Sequence, residues 1–196
     1  MKIRAALVMV SALLLSACGL NSVPTAEEAA KARWGDVQAA YQRRANLIPN
    51  LVATVKGAAA SEGQILTEVT DARSRASSVQ VTGEDLTDPA KVAQFQEAQD
   101  ALSGSLSRLL VTVEKYPELK SQDRFGDLQE QLEMTENRIT IAIRDYNTAV
   151  QQYNTTIRTF PSAIGAKVFY GAEPMTPFQA KAGSDVVPTV NFGNSN

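Results

Sequence analysis

Residues 128–161 read LQEQLEMTENRITIAIRDYNTAVQQYNTTIRTFP, and the periodicity of this stretch decides the fold. Core-forming side chains recur at Leu128, Leu132, Thr135, Ile139, Ala142, Tyr146, Ala149, Tyr153, Ile157 and Phe160, in steps of three and four. That is one face of an α-helix, and no strand-like alternation competes with it. Pro161 stops the run, because proline lacks an N–H and its ring clashes with the preceding turn. A helix over 121–160 would be roughly 60 Å long at 1.5 Å per residue.

The same repeat extends upstream. Val92, Phe95, Gln99, Leu102, Leu106, Leu109, Val113 and Tyr116 form a second stripe, with Asp88 as cap, Pro89 at the first position and Pro117 closing the segment. A third runs through Leu51, Val55, Ala58, Glu62, Ile65, Val69, Ala72 and Ala76, predicting a helix over 49–77 with Pro49 in its first turn and Asn46 as cap. The fourth, Ala30, Trp34, Val37 and Tyr41, predicts a helix over 26–45, with Thr25 and Glu28 as a capping box. One long helix kinked at Pro49 is the alternative for the first two segments. Short connections make sequential helices antiparallel neighbours. The expected fold is therefore all-α, an elongated antiparallel four-helix bundle over 26–161. Residues 162–196 carry Pro174, Pro177 and Pro188 and no helical stripe. They are expected to form an extended, mobile tail lying on the bundle or on a partner.

Composition narrows the chemistry. The chain has 196 residues, enough for one domain with short appendages. A net charge of −2 argues against a nucleic-acid partner, which requires a basic stripe. Histidine is absent, which removes histidine-based triads, zinc sites and imidazole switching. A single cysteine rules out an internal disulfide or a cysteine cluster for metal. No cofactor and no resident metal are expected.

That cysteine sits at the end of a targeting signal. Lys2 and Arg4 precede an apolar run over 5–15, interrupted only by Ser11. Eleven residues are too few to cross a hydrocarbon core, which takes about 20, but they suit a secretory signal. The run ends in Leu15-Ser16-Ala17-Cys18, which resembles the bacterial lipobox. The resemblance implies cleavage of residues 1–17, lipidation of the Cys18 thiol and acylation of the new amino terminus. An ordinary signal peptide with an incidental cysteine, or an uncleaved anchor, are the other readings. Residues 18–25 would be a lipidated tether, with more than one acyl chain needed for stable membrane attachment. Gly19 after the cysteine implies the outer membrane, if the cell has two.

Three motifs go beyond a generic bundle: Tyr41–Gly57 (YQRRANLIPNLVATVKG), Glu114–Lys120 (EKYPELK), and the series LQEQLEMTENRI, Tyr146-Asn147, Tyr153-Asn154 and Phe160-Pro161. Together these resemble the LemA family over about residues 34–166. The resemblance implies a membrane-attached elongated helical bundle without known catalytic residues. It also implies an envelope partner, since relatives occur beside membrane proteases and TPM-domain proteins. Relatives commonly have an uncleaved transmembrane helix where this chain has its lipobox, so their orientation does not carry over; the lipobox itself implies a bundle outside the cytoplasm. Many also carry His-Glu in place of Ser61-Glu62.

The candidate polar-core or partner-binding residues are Arg43, Arg44, Asn46, Asn50, Lys56, Glu62, Glu136, Arg138, Asn147 and Asn154. Glu62 falls on an apolar stripe, where a carboxylate needs a partner, and Arg43, Arg44, Lys56 and Arg138 are the available cations. Such a network either fixes helix register or marks a ligand site. Asn147 and Asn154 lie seven residues apart on one face and are expected to form a polar ladder across helices or toward a partner. The expected function is a lipid-anchored, extracytoplasmic scaffold or adaptor of the cell envelope, not an enzyme. The alternatives are a ligand-binding or sensory bundle with a polar core near Glu62, and a hydrolase using a metal held by converging carboxylates.

Overall fold

The computed structural model describes residues 21–120 and 122–179, and among these the chain is helical with no strand. The helices are α1 (Ser22–Ala58), α2 (Gly63–Ser78), α3 (Pro89–Val113), α4 (Pro117–Lys120), α5 (Asp123–Thr156) and α6 (Ser162–Gly165). The expected signal segment 1–17 and Cys18 lie outside the described residues, as do residues 180–196.

The all-α bundle is as expected, but its first break is elsewhere. α1 runs straight through Pro49 and is 37 residues long, about 55 Å at 1.5 Å per residue. Asn46 therefore caps nothing. Pro49 cannot donate to the Ala45 carbonyl one turn back. Arg73 Nε, on α2, takes that carbonyl at 2.7 Å, so the helix keeps its acceptor satisfied. The reversal comes at 59–62, in a short 3-10 turn, Ala60–Glu62, with Ala59 buried beneath it. At the other end α1 begins at Ser22, inside the expected tether. Thr25 does not cap it; its hydroxyl donates back to the Asn21 carbonyl at 2.7 Å.

α3 begins as its sequence dictates. Asp88 accepts from the Ala90 and Lys91 amides, and Pro89 occupies the first position. The stripe Val92, Phe95, Gln99, Leu102, Leu106, Leu109 and Val113 is buried throughout. α5 buries Leu128, Leu132, Thr135, Ile139, Tyr146 and Tyr153, but it ends at Thr156 and leaves Phe160 exposed.

α1 pairs along α5, and α2 packs chiefly on α3. Ser22 Oγ lies 2.9 Å from Ser162 Oγ at one end, and Tyr116 reaches Glu62 at the other, so α1 and α5 run antiparallel. The apolar interior falls into two clusters. One is built around Trp34, Tyr41, Phe95, Tyr146 and Tyr153, the other around Ile48, Leu51, Leu102, Leu109 and Leu132. Arg44, Gln99 and Thr135 are buried between them.

The tail is not extended from its start. After α6, a π turn over Ala166–Tyr170 leads to Gly171, whose φ of 55° favours glycine and redirects the chain. Residues 171–179 then lie extended along the bundle.

Candidate functional site

Arg44 is the most deeply buried charged side chain among the described residues, 1% exposed. Nη1 donates to Ser103 Oγ at 2.7 Å and to Glu136 Oε1 at 2.9 Å. Nη2 donates to the Gln99 carbonyl at 3.1 Å and to Gln99 Oε1 at 2.9 Å. Gln99 Nε2 in turn donates to the Ala76 carbonyl at 3.2 Å. One guanidinium thus joins α1 to α3 and α5, and Gln99 extends the connection to α2. The planar fork of arginine makes this possible, as it presents several donors in fixed directions. The guanidinium also lies 4.9 Å from the Tyr41 ring centroid. Burial pushes the Tyr41 hydroxyl up to about 12, against the opposing pull of Arg44. Glu136 is half exposed, so water shares its charge.

The structure therefore brings together two candidates, Arg44 and Glu136, and adds Gln99 and Ser103. Gln99 was legible as a polar residue on an apolar stripe, the same signal that drew attention to Glu62. Ser103 carried no such mark.

None of the other candidates joins this layer. Arg43, Asn46, Asn50, Lys56 and Arg138 are exposed. Asn46 accepts from Gln42 at 2.9 Å within α1. Arg43 and Arg138 share a surface depression with Asp36 and Asp145. Glu62 is not in a buried polar core. It is half-buried in the 3-10 turn ahead of α2, where Ala59 and Leu66 take the core side. Its partner is not a cation: Tyr116 Oη donates to Glu62 Oε1 at 2.7 Å, with Ser61 Oγ 3.0 Å from the same hydroxyl. Glu62→Ala should cost no more than about 1 kcal/mol, the net value of one such hydrogen bond. Urea unfolding checks this, and a loss of several kcal/mol would restore Glu62 to the core.

Asn147 and Asn154 have the most specific geometry. Met175 N–H donates to Asn154 Oδ1 at 2.9 Å, and Asn154 Nδ2 donates to the Met175 carbonyl at 2.8 Å. Asn147 does the same with Phe178, at 2.7 and 2.9 Å. Each amide side chain acts as a short length of neighbouring strand. The seven-residue spacing is the reason both can do so. Seven helical residues rise about 10.5 Å, and three residues of extended chain cover about 10 Å. Between the two clamps, Tyr146 Oη donates to the Thr176 carbonyl at 2.8 Å, and Thr176 N–H donates to the Leu86 carbonyl at 2.8 Å. Burial pushes the Tyr146 hydroxyl well above the usual tyrosine range. Met175 is buried, and Phe178 lies between 6.2 and 6.4 Å, centroid to centroid, from Trp34, Tyr41 and Phe95. The asparagine ladder faces the chain's own tail.

Open grooves mark the surface. One, about 930 Å³, lies between α2 and α3 and includes Glu68, Arg75, Gly104 and Arg108. Another, 580 Å³, runs between α3 and α5 beside Ser103 and Glu136. No group of three or more acidic or cysteine side chains placed to hold a metal ion occurs among the described residues. No helix among them is long and apolar enough to cross a membrane.

Comparison with known proteins returns a family match and distant relatives. The LemA family matches residues 33–192. Protein LemA of Metamycoplasma hominis is 28% identical over 124 residues, which is 63% of this chain and 52% of that protein. Magnetosome proteins MamQ 1 and MamQ 2 of Paramagnetospirillum magneticum are each 26% identical over 157 residues, 72% of this chain and 58% of theirs. The chain thus spans just over half the length of the curated relatives it matches.

Proposed function

We propose, from the premise that this chain belongs to the LemA family, that it is a membrane-anchored, extracytoplasmic scaffold or adaptor of the bacterial cell envelope. The observation that carries the reading is where the polar candidates go. Arg44, Gln99 and Glu136 tie the helices to one another, and Asn147 and Asn154 tie the tail to α5. The inward-facing polar chemistry serves the shape of the bundle, and a rigid rod of this length suits a protein that holds others. Cys18 supplies the anchor, and no catalytic role is assigned to any residue. The partner is an envelope protein, with membrane proteases and TPM-domain proteins the first classes to consider. The sensory alternative loses its stated centre, since Glu62 is half-buried in a turn.

The test has two arms. Cys18→Ala should release the chain from membranes into the soluble fraction while helicity by circular dichroism is unchanged; membrane retention of that variant would sink the lipid anchor. Photo-crosslinkers at exposed positions of α2, α3 and α5 should capture one dominant envelope protein from a contiguous patch in living cells. Absence of any specific capture would shift weight to ligand binding.

A further inference from the structure

Eight large apolar side chains are exposed among the described residues, and five of them fall within positions 160–170: Phe160, Ile164, Val168, Phe169 and Tyr170. Phe160 is 82% exposed and Phe169 is 69% exposed. Scattered surface apolar residues are ordinary, but a contiguous group of this kind marks a contact surface. They occupy the turn between α5 and the clamped tail, with Phe160 just ahead of α6 and the others on α6 and the π turn that follows it. The charged residues within 158–173 are Arg158 and Lys167, both exposed and basic, and Glu173, exposed and acidic, three residues past Tyr170. Apolar and aromatic side chains flanked by basic ones are what a helix or turn lying in an anionic lipid interface presents.

The position of this turn identifies its occupant. Ser162 Oγ is 2.9 Å from Ser22 Oγ, so the turn is fastened beside the first turn of α1. Cys18 precedes Ser22 by four residues, and four residues of fully extended chain reach at most about 14 Å. A bilayer that holds Cys18 therefore lies within that distance of the first turn of α1, on the same end of the bundle as Phe160 and Phe169. We propose that the 160–170 turn is a second membrane contact, which dips Phe160, Ile164, Val168 and Phe169 into the lipid interface and stands the bundle upright on the membrane. The inference rests on the membrane attachment proposed above and goes further, because an anchored chain could equally swing on a free tether.

The test uses the full chain, isolated from membranes and reconstituted into vesicles of phosphatidylethanolamine and phosphatidylglycerol with brominated acyl chains. Phe169→Trp and Val168→Trp place a fluorophore on the turn. Val111→Trp, equally exposed, places one on α3 toward the Glu62 end. Trp34 is buried in the core and adds a constant background. The expected result is a blue shift on vesicle binding and at least twofold quenching for positions 168 and 169, with neither change at 111. Several results would overturn the proposal. A chain that floats with vesicles yet shows no quenching at 168 and 169 is anchored without the second contact. Equal quenching at 111 means that the bundle lies flat. Fluorophores at 168 and 169 that are already blue-shifted and shielded from iodide without vesicles are covered by protein, either residues 180–196 or another copy. A chain that does not float at all overturns the anchor itself along with this contact.

Discussion

Arg44→Ala is expected to destabilise the bundle by about 3–5 kcal/mol, with Glu136→Gln costing only about 1 kcal/mol. The asymmetry follows from exposure. Glu136 is half in water, so losing its cation lets it rehydrate, and an ion pair with a half-exposed partner is worth little by itself. The arginine side is different. Truncation removes four hydrogen bonds from a guanidinium that is 1% exposed, leaves Gln99 Oε1 buried without a donor, and opens a void where two apolar clusters meet. Arg44→Lys should recover less than half of the loss. An ammonium at the end of a flexible stem cannot reach Ser103, Glu136 and both Gln99 oxygens at once. Chemical denaturation of the three variants measures this. A loss under about 1 kcal/mol for Arg44→Ala would mean that the layer is already open to water.

The same layer allows a sharper comparison. A buried polar group often contributes less to stability than a well-packed apolar substitute and serves instead to fix one arrangement. The stripes of α1, α3 and α5 repeat every three to four residues on both sides of Arg44, so apolar packing alone discriminates weakly against a slip of one turn. A fork that must meet Gln99, Ser103 and Glu136 together does discriminate. Rigidity of register is what a scaffold needs, and this is the link between the buried arginine and the proposed role.

How much of this was legible beforehand divides along local and non-local lines. α3 was readable in detail because its cap, its proline and its stripe all lie within its own residues. The length of α1 was not, since the proline signal at Pro49 is local and its remedy is Arg73 on another helix. Once the break moved from 46–49 to 59–62, Glu62 left the core face, and the site built on it moved too. Arg44 and Glu136 were named as candidates from their motifs, but their pairing to each other, through Gln99 and Ser103, depends on helix rotation that a single sequence does not specify. For the tail, prolines and missing periodicity correctly excluded a long helix over 171–179. They could not exclude docking, because an extended segment held by side-chain amides leaves no periodic trace in its own sequence.

The asparagine clamps make the last prediction. Asn147→Ala combined with Asn154→Ala is expected to free residues 171–179 and raise hydrogen exchange of the Met175, Thr176 and Phe178 amides by about 100-fold, equivalent to roughly 2.7 kcal/mol of lost protection. Each alanine deletes both halves of a reciprocal pair, and water replaces them only in part because Met175 and the ring of Phe178 must leave the core for the segment to detach. Asn154→Asp should be at least as damaging as Asn154→Ala. The carboxylate still accepts from Met175 N–H, but it turns a charge toward the Met175 carbonyl, where the amide donated. The Thr176 bonds to Tyr146 and Leu86 lie between the two clamps and should fail with them, so exchange at the three amides should rise together. Amides around Leu102 and Leu109 belong to the other apolar cluster and should keep their protection, which separates release of the tail from global unfolding. Unchanged exchange at Met175 and Phe178 in the double variant would show that apolar contacts alone hold the tail. The seven-residue spacing of the two asparagines would then be a by-product of the helical stripe and not the device that measures out three residues of extended chain.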